Sequence, residues 1–265
     1  MKKLLLLLLT LGSLSTAVIG KVYFERAGKP AINVSQPCIG ILELSGSINH
    51  ASSTQFKADL EKLVRNPLVQ GIVLIINSGG GSPIASYEIL HLLKTAQLIK
   101  PIVTYVESVC ASGAYLIACC TPIIASPMAT IGSIGVILEI EQEDPKTFKR
   151  DGLKGDIKKI RMKRGKFKQL GNDPLDIDSE AQLNKELDLL YEYFVNSVVE
   201  HRHLSTEEVK QTEALTYPAP EALKYKLINK IGTFSDTLSD MKLLLNTRGG
   251  SIDNTVDLSQ SLIYP

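Results

Sequence analysis

Short apolar runs alternate with amphipathic stretches along the first half of the chain. "CIGILELSG", Cys38 to Gly46, is rich in branched side chains and closed by glycine, which is the pattern of a buried strand. "STQFKADLEKLVRNP" follows, with Phe56, Leu60, Leu63 and Val64 at helical spacing and a stop before Pro67. The alternation then repeats. "GIVLIIN" predicts a second strand, "PIASYEILHLLKTAQLIK" a helix, "PIVTYVES" a third strand and "SGAYLIACC" a helix, with "IIAS" and "SIGVILEI" as further strands. Strands separated by helices of this length imply an α/β fold with parallel pairing through crossovers, which gathers reactive loops at the strands' C-terminal ends. On that reading "NSGGGS" and "SVCASG" lie side by side.

Downstream, "EDPKTFKRDGLKGDIKKIRMKRGKFKQLGNDP" is basic and polar, with a short strand predicted over Ile157 to Met162. Its charge reads as a solvated face before it reads as a nucleic-acid site. "DSEAQLNKELDLLYEYFVNSVVEHRH" predicts the clearest amphipathic helix, opened by Ser179 with Gln182 as a capping box. Its stripe of Leu183, Leu187, Leu190, Phe194 and Val198 is core or an oligomer contact. "LSTEEVKQTE" repeats the capping pattern with Ser205 and Glu208.

The opening residues differ from all of this. "MKKLLLLLLTLGSLSTAVIGKVYFE" has a basic start, a leucine run and then small residues, the order of a secretory signal or a signal-anchor. Both export the chain. Retained, the segment leaves Lys2 and Lys3 cytoplasmic and the rest on the extracytoplasmic side of a membrane; cleaved, it releases a secreted protein. The organisation expected is therefore a leader over residues 1–20, a linker over 21–36, one α/β domain over 37–240 and a flexible tail over 241–265. No internal repeat is visible.

Composition narrows the chemistry. The chain has 265 residues, 44% of them hydrophobic, enough for one large core. Lysine and arginine total 29 against 28 acidic residues, so no global field recommends nucleic acid as a partner. Four cysteines in a chain of this length do not make a disulfide framework, and neither a CxxC pair nor HExxH is present. No GKS or GKT follows the triple glycine, which disfavours a phosphate loop. Neither a metal nor any other cofactor is expected.

Ser112 stands between small residues at the mouth of a predicted helix. A serine hydroxyl is a weak nucleophile unless a base takes its proton. Histidine is the usual base, but His50, His91, His201 and His203 occupy no evident triad setting in the sequence. Lysine is the alternative. Bringing its pKa from about 10.4 to near 7 requires about 4 to 5 kcal/mol of differential destabilisation, available from desolvation in an apolar pocket. Acyl transfer also needs backbone N–H groups aimed at the carbonyl oxygen as it becomes an anion. Gly81, in a glycine turn after a strand, can supply one, and Gly113, in the first turn of the helix, can supply another.

"GIVLIINSGGGSPIASYEI", "CASGAYLIA", "SPMATIGSIGV" and "GKFKQLGNDP" together resemble the successive motifs of the signal peptide peptidase A (protease IV) family. The resemblance runs from about Gly40 to Thr237, ending in "EALKYKLINKIGTF". It implies a ClpP/crotonase-like fold of repeated β-β-α units with a mainly parallel sheet, plus a C-terminal helical region. By motif position it implies Ser112 as nucleophile, Lys168 as general base of a Ser-Lys dyad, Ser133 as the residue orienting that lysine, and Gly81 and Gly113 as oxyanion donors. Lys166 is the rival base. The family usually carries proline where this chain has Gly79, and "SGAYL" stands where a second glycine and tyrosine are common.

The function so implied is a membrane-bound serine endopeptidase that cuts extended peptides, including remnant signal peptides, and assembles as a ring or dome of identical subunits. Two other readings share the same residues. A crotonase-type enzyme acting on acyl thioesters would use the oxyanion glycines without Ser112 or Lys168, and a catalytically silent scaffold would only bind peptides.

Overall fold

The computed structural model of the chain describes residues 37–143, 157–164 and 177–248. The leader, the linker, Lys166 and Lys168 lie outside those residues, as does everything beyond Arg248. The described residues divide into two compact units, one formed by those up to Ile131 together with those from Tyr217 to Arg248, the other by those between Gly132 and Thr216.

The first unit is built on a parallel sheet in the order β1-β2-β3-β4-β9. Its strands are β1 (Cys38–Ser45), β2 (Val69–Ser78), β3 (Ile102–Ala111), β4 (Ile123–Ala125) and β9 (Lys230–Ile231). Helices α1 (His50–Arg65), α2 (Pro83–Gln97) and α3 (Gly113–Ala118) link the first four, so the alternation read from the sequence is the connectivity of the fold. Strands covered on both faces become continuous apolar runs. Ile72, Val73, Leu74 and Ile76 of β2 are accordingly all fully buried.

Helix packing on this sheet depends on two missing side chains. A Cβ at Gly40 would stand 2.7 Å from Leu63 Cδ2 of α1, and one at Gly71 would stand 2.7 Å from Met241 Sδ of α7 (Phe234–Arg248). Met241 and Leu244 of α7 form one cluster with Ile39, Ile41, Val73, Val103 and Ile124. Residues 241–248 are therefore helix seated on the core, not the tail expected from the sequence. The Lys230 ammonium pairs with the buried Asp240 carboxylate at 2.8 Å and fastens α7 to β9. Buried Lys100 donates to Leu63 O at 2.8 Å and Asn66 O at 2.6 Å, satisfying carbonyls at the C-terminus of α1.

Helix starts follow local chemistry. α1 begins at His50, three residues before the periodic stretch, because Asn49 accepts from Ser52 N while the Ser52 hydroxyl accepts from Asn49 N. α2 begins with Pro83 behind Ser82, whose hydroxyl accepts from Ala85 N. Between β4 and the second unit lies a three-residue strand, β5 (Thr130–Gly132), which pairs with β3 and with β8 (Thr216–Pro218). After β8 comes the short helix α6 (Ala219–Lys224).

The second unit contains an antiparallel hairpin of β6 (Val136–Glu143) and β7 (Ile157–Arg164), with α4 (Ile177–Arg202) and α5 (Thr206–Lys210). Val136 and Leu187 are its buried centre, with Leu138, Leu183 and Tyr191 packed around them. The α4 stripe is core at Leu187, Phe194 and Val198, but Leu190 is exposed. α4 starts at Ile177, which puts Ser179 inside the helix; the capping box expected there is not the helix start. The box at Ser205 and Glu208 does form, with both reciprocal bonds present.

Cys38, Cys110 and Cys119 are buried thiols and Cys120 is partly exposed. Burial pushes the Cys110 pKa far above its ordinary value of 9.0. The folded protein keeps this proton where the unfolded chain releases it, so the unfolded state binds fewer protons and stability falls as pH rises past 9. Denaturant titrations from pH 8 to 10.5 should show that decline, and Cys110→Ala should flatten its slope whatever it does to stability at pH 8.

Candidate active site

β2 and β3 run in parallel until Ile76 and Val106, where the register shifts and Ser78 comes opposite Cys110. Both strands then end, and their C-terminal segments meet as the sequence pattern requires. Ser112 turns the chain from β3 into α3 with φ 54° and ψ −128°. A non-glycine residue held at positive φ carries strain on the order of 1–3 kcal/mol, and the surroundings must fix it there. Here they do: every residue of α3 from Gly113 to Ala118 is buried, and the Tyr115 hydroxyl donates to Leu227 O at 2.8 Å. Ser112 itself is only partly buried.

The glycine loop packs directly on this turn. A Cβ at Gly80 would meet Gly113 N at 2.7 Å, Ser112 Cβ at 2.8 Å and Ala111 O at 2.9 Å. A Cβ at Gly113 would meet Ser86 Oγ at 2.3 Å and Gly81 N at 3.5 Å. Backbone therefore lies against backbone, and Gly81 N–H and Gly113 N–H come into one small volume beside the serine.

Their directions are set by bonds to other groups. Gly81 forms a parallel bridge with Ile48, in which Ile48 N donates to Gly80 O at 3.0 Å and Ser82 N donates to Ile48 O at 2.7 Å. No peptide bond in the described residues is cis. In the planar trans peptide between Gly80 and Gly81 the carbonyl points to Ile48, so Gly81 N–H points the opposite way and takes no part in the bridge. Gly113 is the first residue of α3, where an N–H has no acceptor within its own helix. Two amides and a hydroxyl assembled this way can hold an oxyanion next to a nucleophile.

The other sequence-predicted residues belong to the second unit or lie outside the described residues. Ser133, at φ 55°, donates its N–H to Leu215 O at 2.9 Å. It stands just before the end of the β6–β7 ladder where Val136 pairs with Arg164. Arg164 is tied to α4 through Asp188 and Asn184, and its guanidinium holds the Asp188 carboxyl below the ordinary range. The chain passes from Arg164 into the segment that carries Lys166 and Lys168, which are themselves undescribed. Of the histidines, His91 lies on the exposed side of α2 with its ring centroid 4.3 Å from that of Tyr87, and His50 opens α1.

Residues 94–248 match the model of peptidase family S49, which is more than half of the chain. The chain belongs to peptidase family S49. This S49 chain is 32% identical over 197 residues to a protease-named protein of Methanocaldococcus jannaschii, an alignment covering 73% of the chain and 62% of that relative. It is 30% identical over 217 residues to a protein of Enterococcus faecium named as signal peptide peptidase SppA, covering 77% of the chain and 60% of the relative. The matched stretches thus span about 60% of these relatives' own length. Among solved structures, a mutant of ClpP1 from Listeria monocytogenes superposes with a TM-score of 0.52 at 18% identity, over 75% of this chain and 94% of that one. The ClpP-like fold expected from the motifs is therefore the fold observed.

Two residues of the site went unnoticed in the sequence. Ile48 clamps the glycine loop through its backbone, which no side-chain pattern can signal. Ser78 is 2% exposed and bonded within the loop; its signal was present, since it continues the inward-facing series Ile72, Leu74, Ile76 with a hydroxyl that burial obliges to find a partner.

The three loop glycines differ in what they tolerate. At Gly81 a Cβ would lie 2.1 Å from Ile48 O, whereas at Gly79 nothing lies within 4 Å, and Ser78 before it is already in a strand, as a residue preceding proline prefers. Gly81→Ala should lower the melting temperature and reactivity together. Gly79→Pro should be neutral or stabilise by about 0.4–1 kcal/mol in calorimetry.

Proposed function

We propose that this S49 protein is a serine endopeptidase with a Ser112–Lys168 dyad. The observation that carries the reading is the strained turn at Ser112 with the Gly80–Gly81 peptide packed against it, an arrangement that serves acyl transfer. Lys168, uncharged, takes the Ser112 proton as Ser112 Oγ bonds to the scissile carbonyl carbon, and the carbonyl oxygen becomes an anion facing Gly81 N–H and Gly113 N–H. The carbon–nitrogen bond then breaks, the leaving amine takes the proton back from Lys168, and an acyl-Ser112 ester remains. Water, deprotonated by the same lysine, opens the ester and restores the serine. Ser133 orients the lysine. No step calls on a metal or an organic cofactor.

We further propose extended peptides as substrates, remnant signal peptides among them, cut on the extracytoplasmic side of a membrane that residues 1–20 engage. The basic and apolar order of that leader and the name of the Enterococcus faecium relative support this. No helix among the described residues is long and apolar enough to cross a membrane. Assembly into a ring of identical subunits belongs to the same reading; Leu189, 73% exposed, and its neighbours Leu190 and Tyr193 on α4 offer apolar surface for it.

A fluorophosphonate probe and a quenched signal-peptide substrate test the dyad. Ser112→Ala and Lys168→Ala should each lower kcat/KM by about 10,000-fold or more and abolish labelling, while Lys166→Ala retains both. Labelling that survives Ser112→Ala would refute the nucleophile, and full activity in Lys168→Ala would refute the base.

A further inference from the structure

We propose that Ser78 is a positioning residue for the oxyanion loop, its buried hydroxyl fixing the direction of Gly81 N–H. This rests on the reading above in so far as Gly81 is the donor to the substrate. Ser78 ends β2 on the face shared with Ile72, Leu74 and Ile76, and at 2% exposure it is a polar atom in an apolar row. Its hydroxyl donates to Gly46 O at 2.6 Å and accepts from Gly80 N at 3.1 Å. Both bonds go to backbone, one on each side of the bridge that orients the Gly80–Gly81 peptide. Gly46 leads into Ile48, whose N–H holds Gly80 O, and Gly80 N–H is held by Ser78 itself.

Ile48 holds the Gly80 carbonyl, and Ser78 holds the amide of the same residue. Gly79 and Gly80 lack the Cβ atoms that would raise the barrier to rotating a peptide plane, and Gly80 has no room for one. With the Ser78 hydroxyl gone, Gly80 N–H is buried without its acceptor, and rotation of the loop to recover one turns Gly81 N–H away from the serine. That affects the transition state, where charge develops, more than it affects binding of the uncharged peptide.

The test compares Ser78→Ala, Ser78→Thr, the Ser78→Ala/Gly79→Pro double variant and Thr104→Val in the full chain. The last removes a hydroxyl from the core pair Thr104–Thr121 and serves as a stability control. In Ser78→Ala we expect kcat to fall about tenfold or more with KM within about twofold. Ser78→Thr should recover most of the loss by restoring the hydroxyl, and proline at 79 should recover part by stiffening the loop. Thr104→Val should lose stability with kcat unchanged.

Amide hydrogen exchange gives a readout independent of cleavage. Exchange at Gly80 should rise about tenfold or more in Ser78→Ala while Val73–Ile76 stay protected. Unchanged exchange, or a kcat loss no larger than in Thr104→Val, overturns the proposal. A wild type that neither cleaves peptide nor labels at Ser112 sinks the peptidase reading, and the exchange comparison still decides the role of Ser78 in holding the loop.

Discussion

Two lengths of bare backbone press together where β2 and β3 end, and the rest of the first unit serves that approach. Gly80 lies against Ser112 and Gly113, Gly81 against Ile48, and Gly113 against Ser86, each too close to admit a methyl group. Such contact needs a rigid frame, because an error of an ångström would turn an amide away from a nascent anion. The parallel sheet supplies it, with helices on both faces and apolar side chains buried throughout β2. The strain at Ser112 is offset by the burial of all of α3 behind it.

Much of this frame could be read from the residues. The apolar runs at 38–46, 71–77 and 101–108 became β1, β2 and β3, and the parallel order that their spacing implied brought the glycine loop beside Ser112. Periodicity failed where tertiary contacts outweigh local pattern. β5 has only three residues, too few to show a period, and it exists by pairing with β3 and β8. Ser179 looks like a cap, yet the helix continues ahead of it to Ile177. Residues 241–248 read as the start of a tail, yet Met241 and Leu245 lie where a side chain at position 71 would stand, and Met241 and Leu244 join the core cluster.

The candidate site was legible to the same degree. Ser112, Gly81 and Gly113 meet in one place because they lie at strand ends and helix starts, which sequence patterns mark well. The clamp by Ile48 was hidden because it runs through main-chain atoms. Ser133 belongs to the second unit and leads into a hairpin whose other strand ends at Arg164, just before the segment that carries Lys168. Ser112 and Ser133 thus belong to separately packed parts of the chain, a division that an unbroken run of family motifs gives no sign of.

The hydroxyl of Tyr115 reaches across 112 positions of sequence to the carbonyl of Leu227, and β4 finds its outer neighbour in Lys230 and Ile231. A chain emerging from the ribosome has made Ser112 long before it has made either partner. Until those late residues arrive, the helix behind the serine lacks its anchor and the sheet lacks its last strand. The turn that holds Ser112 therefore gains its full support only once Leu227, Lys230 and Ile231 have been made.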